Sequence, residues 1–223
     1  MIGVLGGTFN PIHIGHLRPA LELLEALRLD HLRLIPCGMP PHRETPQVGA
    51  QQRLAMVAAA VAGEAGFVVD DRELRRSGPS YSLDTVKSLR EEFPHQTIAL
   101  IIGADSFREF DTWHEWRSIT DYAHIVVMQR PDLLSQHLSL PQSTLTKKDR
   151  PMSDVLQAFV AQRLVESVDA LHAASHGCIL NQNVTQLDIS ATQIRALIAA
   201  DRSARYLVPD SVWQIICDQG YYQ

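Results

Sequence analysis

The 223-residue chain predicts an α/β fold, a doubly wound parallel sheet with helices on both faces. Three observations carry that expectation. Short apolar runs alternate with stretches of helical period, and the runs are apolar on both faces, as strands covered from each side must be. A balance of 45% hydrophobic to 20% charged residues suits a chain that buries a substantial core.

The strands are expected in the runs IGVL at 2–5, LRLI at 32–35, FVVD at 67–70, TIALII at 97–102, HIVVM at 124–128 and CIL at 178–180. Helical patterns lie between and after them, near 17–29, 50–65, 82–93, 153–169, 191–200 and 210–218. The first helix carries Leu17, Ala20, Leu21, Leu24 and Leu27 on one face. Pro19 is tolerated in a first turn, where backbone donors lack internal partners, so this helix is expected to start at about Gly15 or His16. The polar segment 131–151, with three prolines and no period, reads as a loop. Without repeats or a linker, the chain reads as one Rossmann-like domain over 1–223, with a C-terminal helical subregion at about 190–223.

Composition excludes more than it selects. A net charge of -5 gives no global basic field to recruit nucleic acid. Cys37, Cys178 and Cys217 are three, widely separated and without C-x-x-C spacing, which speaks against a disulfide framework or zinc knuckle and fits a reducing compartment. No signal-peptide pattern opens the chain, and no apolar run approaches the roughly 18 residues of a spanning helix. A cytoplasmic location without a membrane partner is the expectation.

The stretch GGTFNPIHIGH, from Gly6 to His16, lies between the first strand and the first helix. Its glycines permit close approach of a ligand to the main chain. His13 falls just before the helix and His16 in its first turn, beside the positive end of the helix dipole, an arrangement suited to a phosphate anion. Neither G-x-G-x-x-G nor G-x-x-x-x-G-K-[ST] is present. A second helix start follows in ISATQIR. Ser190 and Gln193 have the form of a capping box, and Ser190, Thr192 and Arg195 also surround that helix end with donors fit for phosphate oxygens.

Together GGTFNPIHIGH and ISATQIR resemble the paired signature of the H-x-G-H nucleotidyltransferases, which transfer AMP from ATP to a phosphorylated acceptor. The segments PCGMPPHRE at 36–44, SYSLDT at 80–85 and IGADSFREFDTWHEW at 102–116 are similar to the branch that acts on nicotinate mononucleotide in NAD biosynthesis. The resemblance spans most of the chain, apart from 131–175. Three positions depart from the family's usual residues: Asn10 stands for aspartate, Arg43 for lysine and Ala191 for serine.

The resemblance implies catalytic roles for His13, His16 and Arg195. It implies ATP contacts at Gly6, Gly7, Thr8, Phe9, His16, Gly103, Asp105, Ser190, Thr192 and Arg195. The acceptor is expected at His42, Arg43, Ser82, Thr85 and Trp113, with Trp113 against the pyridine ring and Ser82 and Thr85 near its carboxylate. Asp105 is open to holding a ribose hydroxyl or capping the next helix. Magnesium is expected with ATP, without a protein-built metal site, and a homo-oligomer stays open. The alternatives are nicotinamide mononucleotide or phosphopantetheine as acceptor, and an ATP-sensing module without turnover. The chain lacks the K-M-S-K-S segment of the class I aminoacyl-tRNA synthetases, which share the H-x-G-H element. A metal module of His13, His16 and His42 has no carboxylate or cysteine to complete it.

Overall fold

The computed structural model describes residues 1–40, 46–129, 151–185 and 187–223. Among the described residues seven strands form one sheet: β1 (Ile2–Gly7), β2 (His31–Pro36), β3 (Phe67–Val69), β4 (Ile98–Gly103), β5 (His124–Gln129), β6 (Leu164–Val165) and β7 (Ile179–Asn183). Their order is β3-β2-β1-β4-β5-β7-β6 and every pairing is parallel. From β1 the chain winds outward through β2 and β3, then returns to place β4 on β1's other side. The direction of winding therefore reverses between β1 and β4, and the crevice at the carboxyl ends of these strands is where a doubly wound sheet receives ligands.

The period-2 pleat divides the core in two. Along β4, Ile98, Leu100 and Ile102 enter one apolar cluster while Ala99 and Ile101 enter the other; in β5, Ile125 and Val127 part from Val126 in the same way. One face is covered by α1 (Ile14–Ala26), α2 (Ala50–Val61), α8 (Ala191–Ala199) and α9 (Asp210–Gln219), which bury Leu23, Met56, Ile194 and Ile216. The other is covered by α4 (Ser82–Glu92), α6 (Asp154–Ala161) and the 3-10 turns around Phe110 and Trp116. Two shorter helices are α3 (Arg72–Arg75) and α5 (Ala104–Phe107).

The single helix expected over 153–169 is corrected to α6, the two-residue strand β6, and the start of α7 (Val168–Ala173). Ser153 caps α6 by accepting from the Leu156 N–H, and Ser167 caps α7 by accepting from Ala170. Between these caps Leu164 and Val165 pair with Ile179 and Leu180 of β7. The first helix also starts earlier than expected, at Ile14, so Pro19 sits in its second turn. The start is set by other bonds: the Ile14 N–H donates to the Leu207 carbonyl, and those of His16 and Leu17 donate to His13. The loop expected at 131–151 lies, but for its last residue, outside the described residues. Among the described residues no helix is long and apolar enough to cross a membrane.

Candidate active site

The loop of the first motif begins where β1 ends. Gly7 leaves room there for the Phe9 ring, which a Cβ on it would meet at 2.9 Å. Phe9 is itself buried and takes a left-handed φ of 46°, a conformation costly for a bulky residue and characteristic of functional turns. Its ring meets His16 edge-on with centroids 5.2 Å apart, and His16 stacks on His13 at 3.7 Å and 25°. Gly15 completes the arrangement: a Cβ on it would sit 3.0 Å from His13 Nδ1 and 3.2 Å from the Ile189 carbonyl oxygen. The glycine of H-x-G-H thus lets His13 fold over the helix start and lets the chain before Ser190 approach it.

His13 is 4% exposed and serves as the N-cap residue of α1. Burial lowers its pKa from the ordinary 6.5 to about 4. Burial and then the charge of His13 lower His16 to about 3. Both rings are therefore neutral at pH 7, each with one donor and one acceptor nitrogen. The Nδ1 atoms of both rings are buried without a hydrogen-bond partner among the described residues. Two orphaned ring nitrogens at one helix start are an incomplete polar site, of the kind an incoming phosphate would complete.

The second motif closes on the first through Arg195. Its Nη1 donates to the Asn10 carbonyl at 2.8 Å and its Nη2 to the Thr192 hydroxyl at 3.3 Å. Ser190, exposed at the start of α8, accepts from the Gln193 N–H, so the capping role is present alongside any other. Asn10 receives a further bond at its side chain, 2.8 Å from the Tyr222 hydroxyl. Gly103 ends β4, and Asp105 is exposed in the first turn of α5 that follows directly. Gly6 and Gly7 end the neighbouring strand β1, and Thr8 follows it.

The residues expected at the acceptor divide. Ser82 opens α4, half-buried, and Trp113 is half-buried against Phe110 with centroids 5.3 Å apart. The segments carrying them are joined by a Tyr81–His114 stack at 4.3 Å. Thr85 is 2% exposed, and its hydroxyl donates inward to Glu73 at 2.6 Å while accepting from Arg76 at 3.1 Å. Burial raises the Glu73 pKa, opposed by hydrogen bonds from Thr85 and Ser80. Ser80 Oγ also accepts from the Gly38 and Met39 N–H groups, tying the turn after β2 to the start of α4. His42 and Arg43 lie outside the described residues.

Sequence reasoning passed over Arg53, Glu73, Ser80 and Tyr222. Arg53 had a signal: it falls in the apolar stripe of α2 with Met56 and Val57, at spacings of three and four, where a charged residue is out of place. The other three carry no local pattern.

A cytidylyltransferase-like family model matches residues 4–197. The chain is 47% identical over 223 residues to a probable nicotinate-nucleotide adenylyltransferase of Pseudomonas syringae pv. tomato, covering 100% of this chain and 93% of that one. It is 44% identical over 220 residues to the probable nicotinate-nucleotide adenylyltransferase of Acidithiobacillus ferrooxidans, covering 99% and 94%. Among solved structures, the Plasmodium falciparum nicotinic acid mononucleotide adenylyltransferase complexed with NaAD has the same fold. The match has a TM-score of 0.68 at 12% identity, over 99% of this chain and 96% of that one.

Proposed function

The chain belongs to the nicotinate-nucleotide adenylyltransferase family, and on that premise we propose that it transfers AMP from ATP to nicotinate mononucleotide, giving deamido-NAD and pyrophosphate. One observation carries the reading to this chain's own residues: the stacked His13–His16 pair, with both Nδ1 atoms unpartnered, at a helix start where the second motif closes through Arg195.

A phosphate oxygen of the acceptor attacks the α-phosphorus of ATP. The new P–O bond forms as the bond to the bridging oxygen breaks, and pyrophosphate leaves with that electron pair. Both reactants are anions, so positioning and charge stabilisation carry the rate, and no protein nucleophile is required. Thr8 and the backbone of Gly6, Gly7 and Phe9 receive the triphosphate. His13 and His16 donate ring N–H bonds to it, while Arg195, Ser190 and Thr192 supply further donors from α8. Gly103 and Asp105 face the nucleoside. Trp113 stacks on the pyridine ring, Ser82 serves its carboxylate with Thr85 holding α4's first turn from beneath, and the acceptor phosphate is assigned to His42 and Arg43 on the resemblance alone.

Magnesium accompanies ATP in this reading and supplies positive charge at the β- and γ-phosphates. Among the described residues no group of three or more His, Cys, Asp or Glu could hold a metal. The whole of 1–223 is read as one nucleotidyltransferase domain. Incubation with ATP, magnesium and nicotinate mononucleotide should release pyrophosphate and a product with the mass of deamido-NAD. ATP binding without either product would refute the catalytic reading.

A further inference from the structure

Arg53 projects from α2 into the interior, where it is 1% exposed. Its guanidinium donates to backbone carbonyls from three separate stretches. Nη1 reaches Thr8 at 2.5 Å, Nη2 reaches Cys37 at 2.7 Å and Gly38 at 3.4 Å, and Nε reaches Val48 at 3.2 Å. Thr8 belongs to the loop after β1 that receives the triphosphate; Cys37 and Gly38 belong to the turn after β2, which Ser80 ties to the acceptor's segment. One rigid fork therefore grips both halves of the site.

The grip also sets a direction. In a trans peptide the carbonyl and the following N–H point opposite ways, so drawing the Thr8 carbonyl inward to Arg53 turns the Phe9 N–H away from it. Phe9 is the residue with the left-handed φ of 46°, and Arg195 holds the carbonyl of the next residue, Asn10. Two arginines thus bracket the strained residue, one from each side of the chain. A planar guanidinium can serve several carbonyls at fixed angles, which an ammonium cannot.

We propose that Arg53 is a positioning residue that fixes the triphosphate loop against the acceptor loop and so aligns the two nucleotides for in-line transfer. The proposal rests on the adenylyl-transfer reading above. Misplacement by about 1 Å can reduce a rate roughly 10²-fold, so the effect belongs chiefly in kcat.

The test uses the full chain with Arg53→Lys and Arg53→Gln at low temperature, folding being read from near-UV circular dichroism. The measurements are kcat, both KM values and the Kd of a non-hydrolysable ATP analogue. The expected result is a fall in kcat of about 10–100-fold in folded variant. Acceptor KM should stay within about threefold, and the analogue should bind several-fold more weakly. Unchanged kcat and Kd with only a lower Tm would overturn the proposal and make Arg53 a residue of stability, as would loss of the fold in both variants. Should the wild-type chain show no turnover, the function reading fails on its own, and the analogue's Kd in wild type and variants still decides whether Arg53 orders the phosphate loop.

Discussion

Acidification should destabilise this protein in part through His13. The ring is buried and neutral, its pKa lowered by burial from 6.5 to about 4. The unfolded chain therefore binds that proton more tightly than the folded one. Between pH 6.5 and 4 the unfolded state holds more protons, so stability rises with pH across this window; it is present in full above 6.5 and lost as pH falls toward 4. A gap of this size corresponds to about 3 kcal/mol, most of it already lost at pH 4.5. For a chain of this length each kcal/mol moves Tm by roughly 2–4 °C. His13→Gln removes the titrating group with little change in volume. Calorimetric Tm values for wild type and variant at pH 7.5 and 4.5, without nucleotide, read the contribution of His13, because the shifted Glu73 is common to both. The wild type should lose about 5–10 °C more than the variant across the interval. Equal losses would show that His13 titrates normally and that the buried, neutral ring is wrong.

Other consequences follow from the same geometry. His13→Ala and His16→Ala should each lower kcat by roughly 10²–10³ in a pyrophosphate-release assay, the scale for one lost transition-state donor; unchanged kcat in both would remove them from the chemistry. Arg195→Ala deletes the donor to the Asn10 carbonyl and, on the proposed reading, a cation for the triphosphate, so kcat/KM for ATP should fall by about 10–100-fold, with Arg195→Lys restoring only part. Thr85→Val leaves the buried Glu73 short of a donor and should cost about 1–3 kcal/mol in denaturant unfolding. Trp113→Ala should raise the acceptor KM while the Kd for ATP holds, and a change in ATP binding instead would misplace the ring.

The strand order of the sheet could be anticipated only as a class, but its strands were legible because burial on both faces leaves continuous apolar runs. IGVL, TIALII and HIVVM announce β1, β4 and β5 without help from the fold. Strand β6 was not legible: two residues between two serine caps carry no period of their own, and pairing with Ile179 and Leu180 decides them. The grouping of His13 with His16 was legible because its parts are local, a glycine turn and two histidines within one helix start. Part of the reason for Gly15 was not, since beside the neighbouring His13 ring a Cβ there would also meet the Ile189 carbonyl, far along the chain. Thr85 shows the limit in the other direction. Its place in SYSLDT suggests a substrate contact, yet only the fold reveals that its hydroxyl is engaged with Glu73. Arg53 and Tyr222 act on backbone and side chain of the phosphate loop from 45 and 212 residues away, and no spacing rule reaches that far.

The central claim is tested most directly by competition in one tube. Equal concentrations of nicotinate mononucleotide, nicotinamide mononucleotide and phosphopantetheine are offered with limiting ATP and magnesium, and the products are counted by mass. The account predicts deamido-NAD as the dominant product, formed in step with pyrophosphate. Dominance of either other adenylylated product would contradict the acceptor assignment, and bound ATP with no product from any of the three would contradict the transfer itself.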